Sequence, residues 1–512
     1  MALYDITMQD VFTKHAIVHA DKTAFVSGDR KWSFGQYYED VNRLACGLAT
    51  LGVAKSHRIA VLAFNCYEFF LLYGAAAQLG AIIVPVNWRL KPEEIHFILE
   101  DSTPKAVVVS HELADQLRSV LDQCSFVSRR IVIGKGIEGF DLLDEILDSD
   151  NEFSAIDVGR SDPFVIMYTA AVDGRPRGAI LTQENLVAAS FQVMLPMRIY
   201  EDAVYVNLMP LFHVMGLEMA IGVLHAGGKN VIMKRFDAEH AVRLIEQEKA
   251  TIIATVPPML SAIIEQSAPA NTSLQSIRVV AGLFDNPVTI RSCQETTEAA
   301  FWSGYGQTET SGYITLCPYN ERPGSSGREG PMVRIRLVDD LNRPLPLGQS
   351  GEIVVRGPMA FQGYWNAGAP TSYALRDGWH HTGDIGRMDE NGYLWYEKRK
   401  ADKDLIKTGG ENVYPAEVES ALLGHEDIQE VCVFGVPDDK WGEAIKAVCV
   451  RKPGSTVTSQ QLVDFVGTRL ARYKSPKFVI FADSLPKMED GVVNRERVKA
   501  WALQSLKWTE MG

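Results

Sequence analysis

Phe69-Phe-Leu-Leu-Tyr-Gly-Ala-Ala-Ala-Gln-Leu-Gly-Ala-Ile-Ile-Val-Pro-Val86 is the stretch whose reading decides the fold. It runs 18 residues without a charge, which meets the lower limit for a membrane span. Gln78, Gly80 and Pro85 interrupt it, however, and its character changes midway. The first part has the small-residue composition of a buried helix, and Ala81–Val86 reads as a strand that Pro85 closes. A buried helix-to-strand step is therefore expected here, and no transmembrane span.

The flanking sequence repeats the same scheme. Arg58–Phe64 and Lys105–Ser110 are apolar strands, and Pro92–Glu100 opens as a helix, with Pro near its first position and Glu93 and Glu94 in its first turn. Val231–Met233, Thr251–Thr255 and Ile277–Ala281 read as further strands, with helices such as Ala238–Glu248 between them. This alternation predicts an α/β fold of helix-covered parallel sheets. Around Asp339–Gly357 the pattern changes to hairpins, as in a small barrel or meander. The charge cluster Lys398–Asp404 reads as a solvated turn or a linker. Beyond it a smaller α+β domain is expected, with helices at Pro415–Leu423 and Ser459–Leu470 and strands at Glu430–Val436 and Ile445–Val450.

Composition narrows the function classes. A chain of 512 residues is too long for one core. The formal charge of −13 argues against a dedicated nucleic-acid binder, whose phosphate contacts need net basic surface. The 7 cysteines are scattered and none is spaced CxxC, which suits buried free thiols in a reducing cytoplasm. The first ten residues, MALYDITMQD, lack the basic and apolar segments of a signal peptide.

Three constellations carry chemistry. Tyr168-Thr-Ala-Ala-Val-Asp-Gly-Arg-Pro-Arg-Gly178 follows an apolar strand, and its glycines and arginines suit a phosphate. Gly304-Tyr-Gly-Gln-Thr-Glu309 offers an exposed aromatic for a purine and oxygens suited to Mg2+. Gly378-Trp-His-His-Thr-Gly-Asp384, followed by Arg399, offers a carboxylate for ribose hydroxyls. His380 and His381 are adjacent, so they point apart on a strand and make a poor metal pair. Taken singly, each constellation is also readable as an ordinary turn.

Together and in this order they resemble the adenylate-forming superfamily of acyl-CoA synthetases, peptide-synthetase adenylation domains and luciferases. The resemblance runs from Thr23-Ala-Phe to Arg495. It includes Met209-Pro-Leu-Phe-His-Val-Met-Gly216, Gly363-Tyr-Trp, Gly409-Gly-Glu-Asn-Val-Tyr-Pro-Ala-Glu-Val-Glu419, Val433-Phe-Gly-Val-Pro-Asp-Asp-Lys-Trp-Gly-Glu443 and Tyr473-Lys-Ser-Pro-Lys477.

The resemblance implies a large N-terminal domain, 1–398, a mobile C-terminal domain, 399–512, and a hinge near Arg399–Lys400. It implies an AMP-forming carboxylic acid:CoA ligase using ATP, Mg2+ and coenzyme A, with a small-molecule acid as its other partner and a homodimer left open. Thr169, Arg177, His213 and Glu309 take the catalytic positions, and Glu309 is the implied Mg2+ ligand. Tyr305 is the implied adenine-stacking residue, and Asp384 with Arg399 the ribose clamp. Gly174, Gly306, Gln307 and Thr308 belong to the nucleotide site, and Gly216, Gly282 and Gly304 lie near the acyl pocket. Gly409, Gly410, Glu411, Asn412, Arg472 and Lys474 flank the coenzyme A path.

Two segments depart from the family pattern. The phosphate loop, usually Ser/Thr-Ser-Gly-Thr-Thr-Gly before Pro-Lys-Gly, is Thr169-Ala-Ala-Val-Asp-Gly174 with Arg177 in place of the lysine. The signature Pro-Lys-x-x-x-Gly-Lys appears as Pro486-Lys-Met-Glu-Asp-Gly-Val492, so Val492 stands where the family has a lysine. Lys487 or Lys499 are candidates to replace it. The alternative to a working ligase is a degenerate member that binds nucleotide or acyl ligand, or runs mainly the thioester half-reaction or its reverse. Bulk in Gly282-Leu-Phe-Asp285 hints at a shortened pocket for a small, medium or aromatic acid.

Overall fold

Tyr67–Leu79 is a helix and Ile82–Pro85 a strand, joined by Gly80 in the left-handed region at φ 63°. A glycine takes that turn without steric cost. Every residue of this helix except Glu68 is buried, which is why it is apolar on all sides. The strand lies parallel to Arg58–Leu62, so the 18-residue run is spent inside a sheet-and-helix core. Among the described residues no helix is long and apolar enough to cross a membrane.

The computed structural model describes residues 5–147, 156–169, 176–267, 273–283, 285–400, 405–487 and 493–504. The chain divides into two compact units. The first comprises Met1–Trp88, Ile95–Tyr168 and Arg177–Lys398, and the second Arg89–Glu94, Thr169–Pro176 and Arg399–Gly512. Two short segments that precede position 398 in sequence thus group with the second unit. Most of the Lys398–Asp404 charge cluster, residues 401–404, lies outside the described residues.

Two large sheets build the first unit. One has 9 strands and centres on the parallel series Lys229–Ile232, Val204–Asn207, Ile252–Thr255, Val279–Gly282 and Ala300–Gln307. The other has 8 strands and includes Ile82–Pro85, Arg58–Leu62 and Ala106–Ser110 in parallel. A third sheet of 5 strands is antiparallel where Arg334–Val338, Ser350–Arg356 and Trp379–Met388 pair, which is the hairpin region expected from sequence. All 7 cysteines are free thiols, six of them buried and Cys66 half-buried.

The second unit holds a separate 5-stranded sheet and its own apolar cluster around Ile406, Val433, Ile445 and Leu462. Pro415–Leu423 and Ser459–Arg469 are its packed helices. The strands run Ile428–Asp438 and Gly442–Arg451, longer than the apolar runs alone indicate. Antiparallel pairing from Ile428↔Arg451 to Asp438↔Gly442 carries the ladder past the buried residues.

A buried histidine pair makes the first unit sensitive to acid. His225 ends the helix Val214–His225; its Nδ1 lies 2.6 Å from Ser190 Oγ, and its carbonyl lies 2.7 Å from His15 Nε2. Burial, aided by Lys14 and His15, pushes the His225 imidazole down to about 4. The folded state therefore resists a proton that the unfolded chain accepts below about 6.5. Stability is fully present above that value and is lost as pH falls toward 4, by about 3 kcal/mol in all. Thermal melts between pH 7 and pH 4 are expected to show this fall, and His225→Gln should make it shallower. Ser190 keeps its bond to the Val187 carbonyl in that variant, so no new orphan hydroxyl confuses the comparison.

Candidate active site at the carboxyl ends of the central strands

Because the central strands are parallel, their carboxyl ends face one way, and the connections that follow them meet there. His213 follows Val204–Asn207, Leu283 and Asp285 follow Val279–Gly282, and Thr308 and Glu309 follow Ala300–Gln307. His213 is the N-cap residue of the helix Val214–His225, with its ring 4.7 Å from that of Phe212.

The glycines here are required by close neighbours. A Cβ on Gly282 would stand 2.1 Å from the Phe301 ring, and one on Gly216 2.2 Å from the Pro210 carbonyl oxygen. One on Gly304 would meet the Tyr313 ring at 2.5 Å, and one on Gly306 the Gly312 carbonyl oxygen at 1.9 Å. Sequence reading assigned three of these to the rim of a pocket; packing alone already demands glycine at each.

Two side chains converge on one oxygen of Asp384. Tyr305 Oη donates to Asp384 Oδ2 at 2.5 Å, and Gln307 Nε2 donates to the same oxygen at 2.6 Å and to the Thr382 carbonyl at 3.0 Å. Tyr305 is 2% exposed, which corrects the expectation of an exposed aromatic in Gly304–Glu309. Its ring joins a cluster with Ala188, Ala189, Ile314 and Val333 and lies 5.9 Å from that of Tyr396. Apolar enclosure of the ring, with the hydroxyl bonded to a carboxylate, satisfies both ends of a tyrosine at once. His380 and His381 do point apart: His380 Nε2 faces Gln307 at 3.4 Å, and His381 Nδ1 faces Glu352 at 3.1 Å.

Glu309 sits in the single turn Thr308–Thr310, with its backbone carbonyl accepting from Phe361 N–H at 2.9 Å. Its carboxylate accepts the Tyr364 hydroxyl at 2.8 Å, and the Arg177 guanidinium lies 5.8 Å from the Tyr364 ring centroid. Arg177 opens the strand Arg177–Thr182, and Thr169 closes Pro163–Thr169. Gly174, with the rest of the altered phosphate loop from 170 to 175, lies outside the described residues. Tyr364 received no role from sequence; Gly363-Tyr-Trp marked the segment but not its contact with Glu309.

In the second unit, Gly409 and Gly410 form the two-residue turn between Ile406–Thr408 and Glu411–Val413. Both have positive φ, 56° and 82°, which is what such a hairpin requires. Glu411 is buried and receives Arg89 Nη1 at 2.7 Å, while Asn412 is exposed. Arg472 is exposed, but Lys474 is buried and bonds Glu417 Oε1 at 2.5 Å. Its charge is therefore committed to two carboxylates, Glu94 and Glu417. Arg399 ends Leu394–Arg399 and is the first residue of the long segment of the second unit. Val492 lies outside the described residues; Lys487, one candidate to replace the family lysine, bonds Glu430 Oε1 at 2.7 Å.

A further group was not found from sequence. Glu218, 1% exposed and the one acid of the helix Val214–His225, places both carboxyl oxygens 3.2 Å from the Tyr313 N–H. Burial pushes its carboxyl well above the usual range. Tyr313 in turn donates its hydroxyl to the Gly282 carbonyl at 3.3 Å. A lone acid within Val-Met-Gly-Leu-Glu-Met-Ala-Ile was the available signal.

The chain is similar to known proteins along nearly its whole length. Residues 12–365 match the AMP-binding enzyme family, and 417–491 match the AMP-binding enzyme C-terminal domain. An indoleacetate–CoA ligase of Aromatoleum aromaticum is 34% identical over 95% of this chain and 96% of its own. The long-chain-fatty-acid–CoA ligase FadD13 of Mycobacterium tuberculosis is 35% identical over 91% and 92%. The solved structure of o-succinylbenzoate CoA synthetase from Bacillus subtilis, a double mutant bound to a product analogue, superposes with a TM-score of 0.85. It is 28% identical, covering 96% of this chain and 97% of that one.

Proposed function

The chain belongs to the AMP-binding enzyme family, and from that premise we propose how its residues divide the work of an AMP-forming carboxylate:CoA ligase. The reaction class is that of the relatives: a carboxylic acid, ATP and coenzyme A give the acyl thioester, AMP and pyrophosphate. A carboxylate is a poor electrophile because its charge repels a thiolate. In the first step its oxygen bonds the α-phosphorus as the bond to pyrophosphate breaks. In the second, sulfur bonds the acyl carbon, the thiol loses its proton and AMP leaves.

The observation that carries the reading is the convergence of Tyr305 and Gln307 on Asp384, 79 and 77 residues away in sequence. Two donors on one oxygen hold the Asp384 carboxyl in a single orientation, which suits recognition of a ribose diol. We assign Asp384 and Arg399 to the ribose, and Tyr305, whose ring is enclosed, to positioning Asp384. Thr169, Gly174 and Arg177 are assigned to the phosphates, and His213 to the reacting carboxylate. Gly409–Asn412 and Arg472 are assigned to the thiol half-reaction.

Glu309 and Thr308 supply hard oxygens suited to Mg2+, and the Tyr364 hydroxyl already orients the Glu309 carboxylate. When bound, that ion neutralises phosphate charge. The free buried thiols suit a cytoplasmic setting. Leu283, at the end of the Val279–Gly282 strand, supports a pocket for a short or aromatic acid, and the indoleacetate ligase supports the same choice.

The test is incubation with ATP, Mg2+, coenzyme A and a panel of aromatic, short and long-chain acids. AMP, pyrophosphate and thioester are expected in equal amounts, with aromatic acids preferred. Calorimetric binding of AMP without release of pyrophosphate from any acid would favour the degenerate alternative.

A further inference from the structure

Asp285 has one carboxyl oxygen, Oδ2, that is buried without a hydrogen-bond partner among the described residues. It stands three residues beyond Gly282, at the carboxyl end of the Val279–Gly282 strand, and precedes the helix Pro287–Thr297. That helix is capped by Asn286, whose side chain accepts from Val288 N–H at 3.0 Å and Thr289 N–H at 2.9 Å. The capping role open to an aspartate in this position is therefore filled by its neighbour. Burial pushes the Asp285 carboxyl up to about 7.

Among the described residues its charge acts on the Cys293 thiol and the Tyr313 phenol, neither of which is a cation. Tyr313 connects this corner to the acyl region, because its hydroxyl bonds the Gly282 carbonyl and lies 4.0 Å from Met215 Sδ, two residues past His213. A buried oxygen without a partner costs free energy in the empty protein, and such groups persist where a ligand completes them.

We propose that Asp285 is a specificity-determining residue that receives a hydroxyl or N–H donor on the organic part of the acid. The preferred substrates are then aromatic or short acids carrying such a donor, rather than plain hydrocarbon acids. The inference rests on the ligase reading above and adds the chemistry of the substrate to it.

The test compares matched acids that differ only in the donor: 4-hydroxycinnamate with cinnamate, and indole-3-acetate with 1-methylindole-3-acetate. For the protein itself, kcat/KM should favour the donor-bearing member by tenfold or more in at least one pair. Asp285→Ala should bring that ratio close to one, and Asp285→Asn should retain part of it, since an amide oxygen still accepts. Binding of the corresponding acyl-sulfamoyl adenosines is measured alongside, and the same ratios are expected in Kd. If no acid yields AMP, the ligase reading fails, yet the binding ratios still decide the role of Asp285.

A ratio near one in the unmodified protein, or a ratio unchanged in Asp285→Ala, would overturn the inference. A parallel loss on both members of each pair would do the same, because it marks a merely structural carboxyl. Thermal melts at pH 8 separate folding from recognition: Asp285→Asn should melt no lower than the parent, since it removes a buried uncompensated charge.

Discussion

Glu309→Gln is expected to slow adenylate formation by 10²–10³-fold, while leaving much of the thioester step intact. Removing one electrostatic contact made to the reacting phosphate usually costs about 3–4 kcal/mol. Glutamine keeps an oxygen for the Tyr364 hydroxyl, which now stands 2.8 Å from the glutamate, so the local fold should survive. The measurement is pyrophosphate exchange against ATP, run beside thioester formation from synthetic acyl-adenylate. Equal losses in both assays would show that Glu309 acts on the fold or on acyl binding instead. Unchanged exchange would remove it from the reaction altogether. Raising Mg2+ should restore part of the exchange rate if the carboxylate acts through the ion, because weaker binding is offset by mass action.

Val492→Lys is expected to act in the opposite direction and raise adenylate formation by about 100-fold. A lysine there supplies the charge-assisted contact to the α-phosphate that the family pattern places at this position, worth about 3 kcal/mol. Of the two candidates to replace it, Lys487 is paired with Glu430 at 2.7 Å. Single-turnover adenylation with rapid quench is the suitable measurement, because slow product release would hide a gain in steady state. Thioester formation from acyl-adenylate should stay within twofold. No acceleration would mean that another cation, Lys499 being the remaining candidate from sequence, already serves the step.

Local structure was legible wherever the chain carries its own instructions. Ala238–Glu248 has the expected bounds because Asp237 caps it, its side chain accepting from His240 N–H. Pro415–Leu423 has them because proline suits the first turn and Gly424 follows the last residue. Strands were placed to within a few residues. The Ile277–Ala281 reading became Val279–Gly282, because Ile277 N–H bonds the Leu274 carbonyl in a preceding turn. Apolar character marks what is buried, and a turn can bury isoleucine as well as a strand can.

The amino-acid sequence by itself determined the α/β class, the helix-to-strand step at Phe69–Val86 and the motifs that name the family. Each depends on spacing within a few residues, where backbone geometry ties position to direction. Only the tertiary structure decided that Tyr305 is enclosed, that Tyr364 orients Glu309, that Lys474 is committed to Glu417, and that Asp285 Oδ2 is buried without a hydrogen-bond partner among the described residues. Those facts join residues tens of positions apart, through sheet register and the packing of neighbouring strands. No local pattern along the chain carries that register, because it is set by which apolar faces find one another when the core closes.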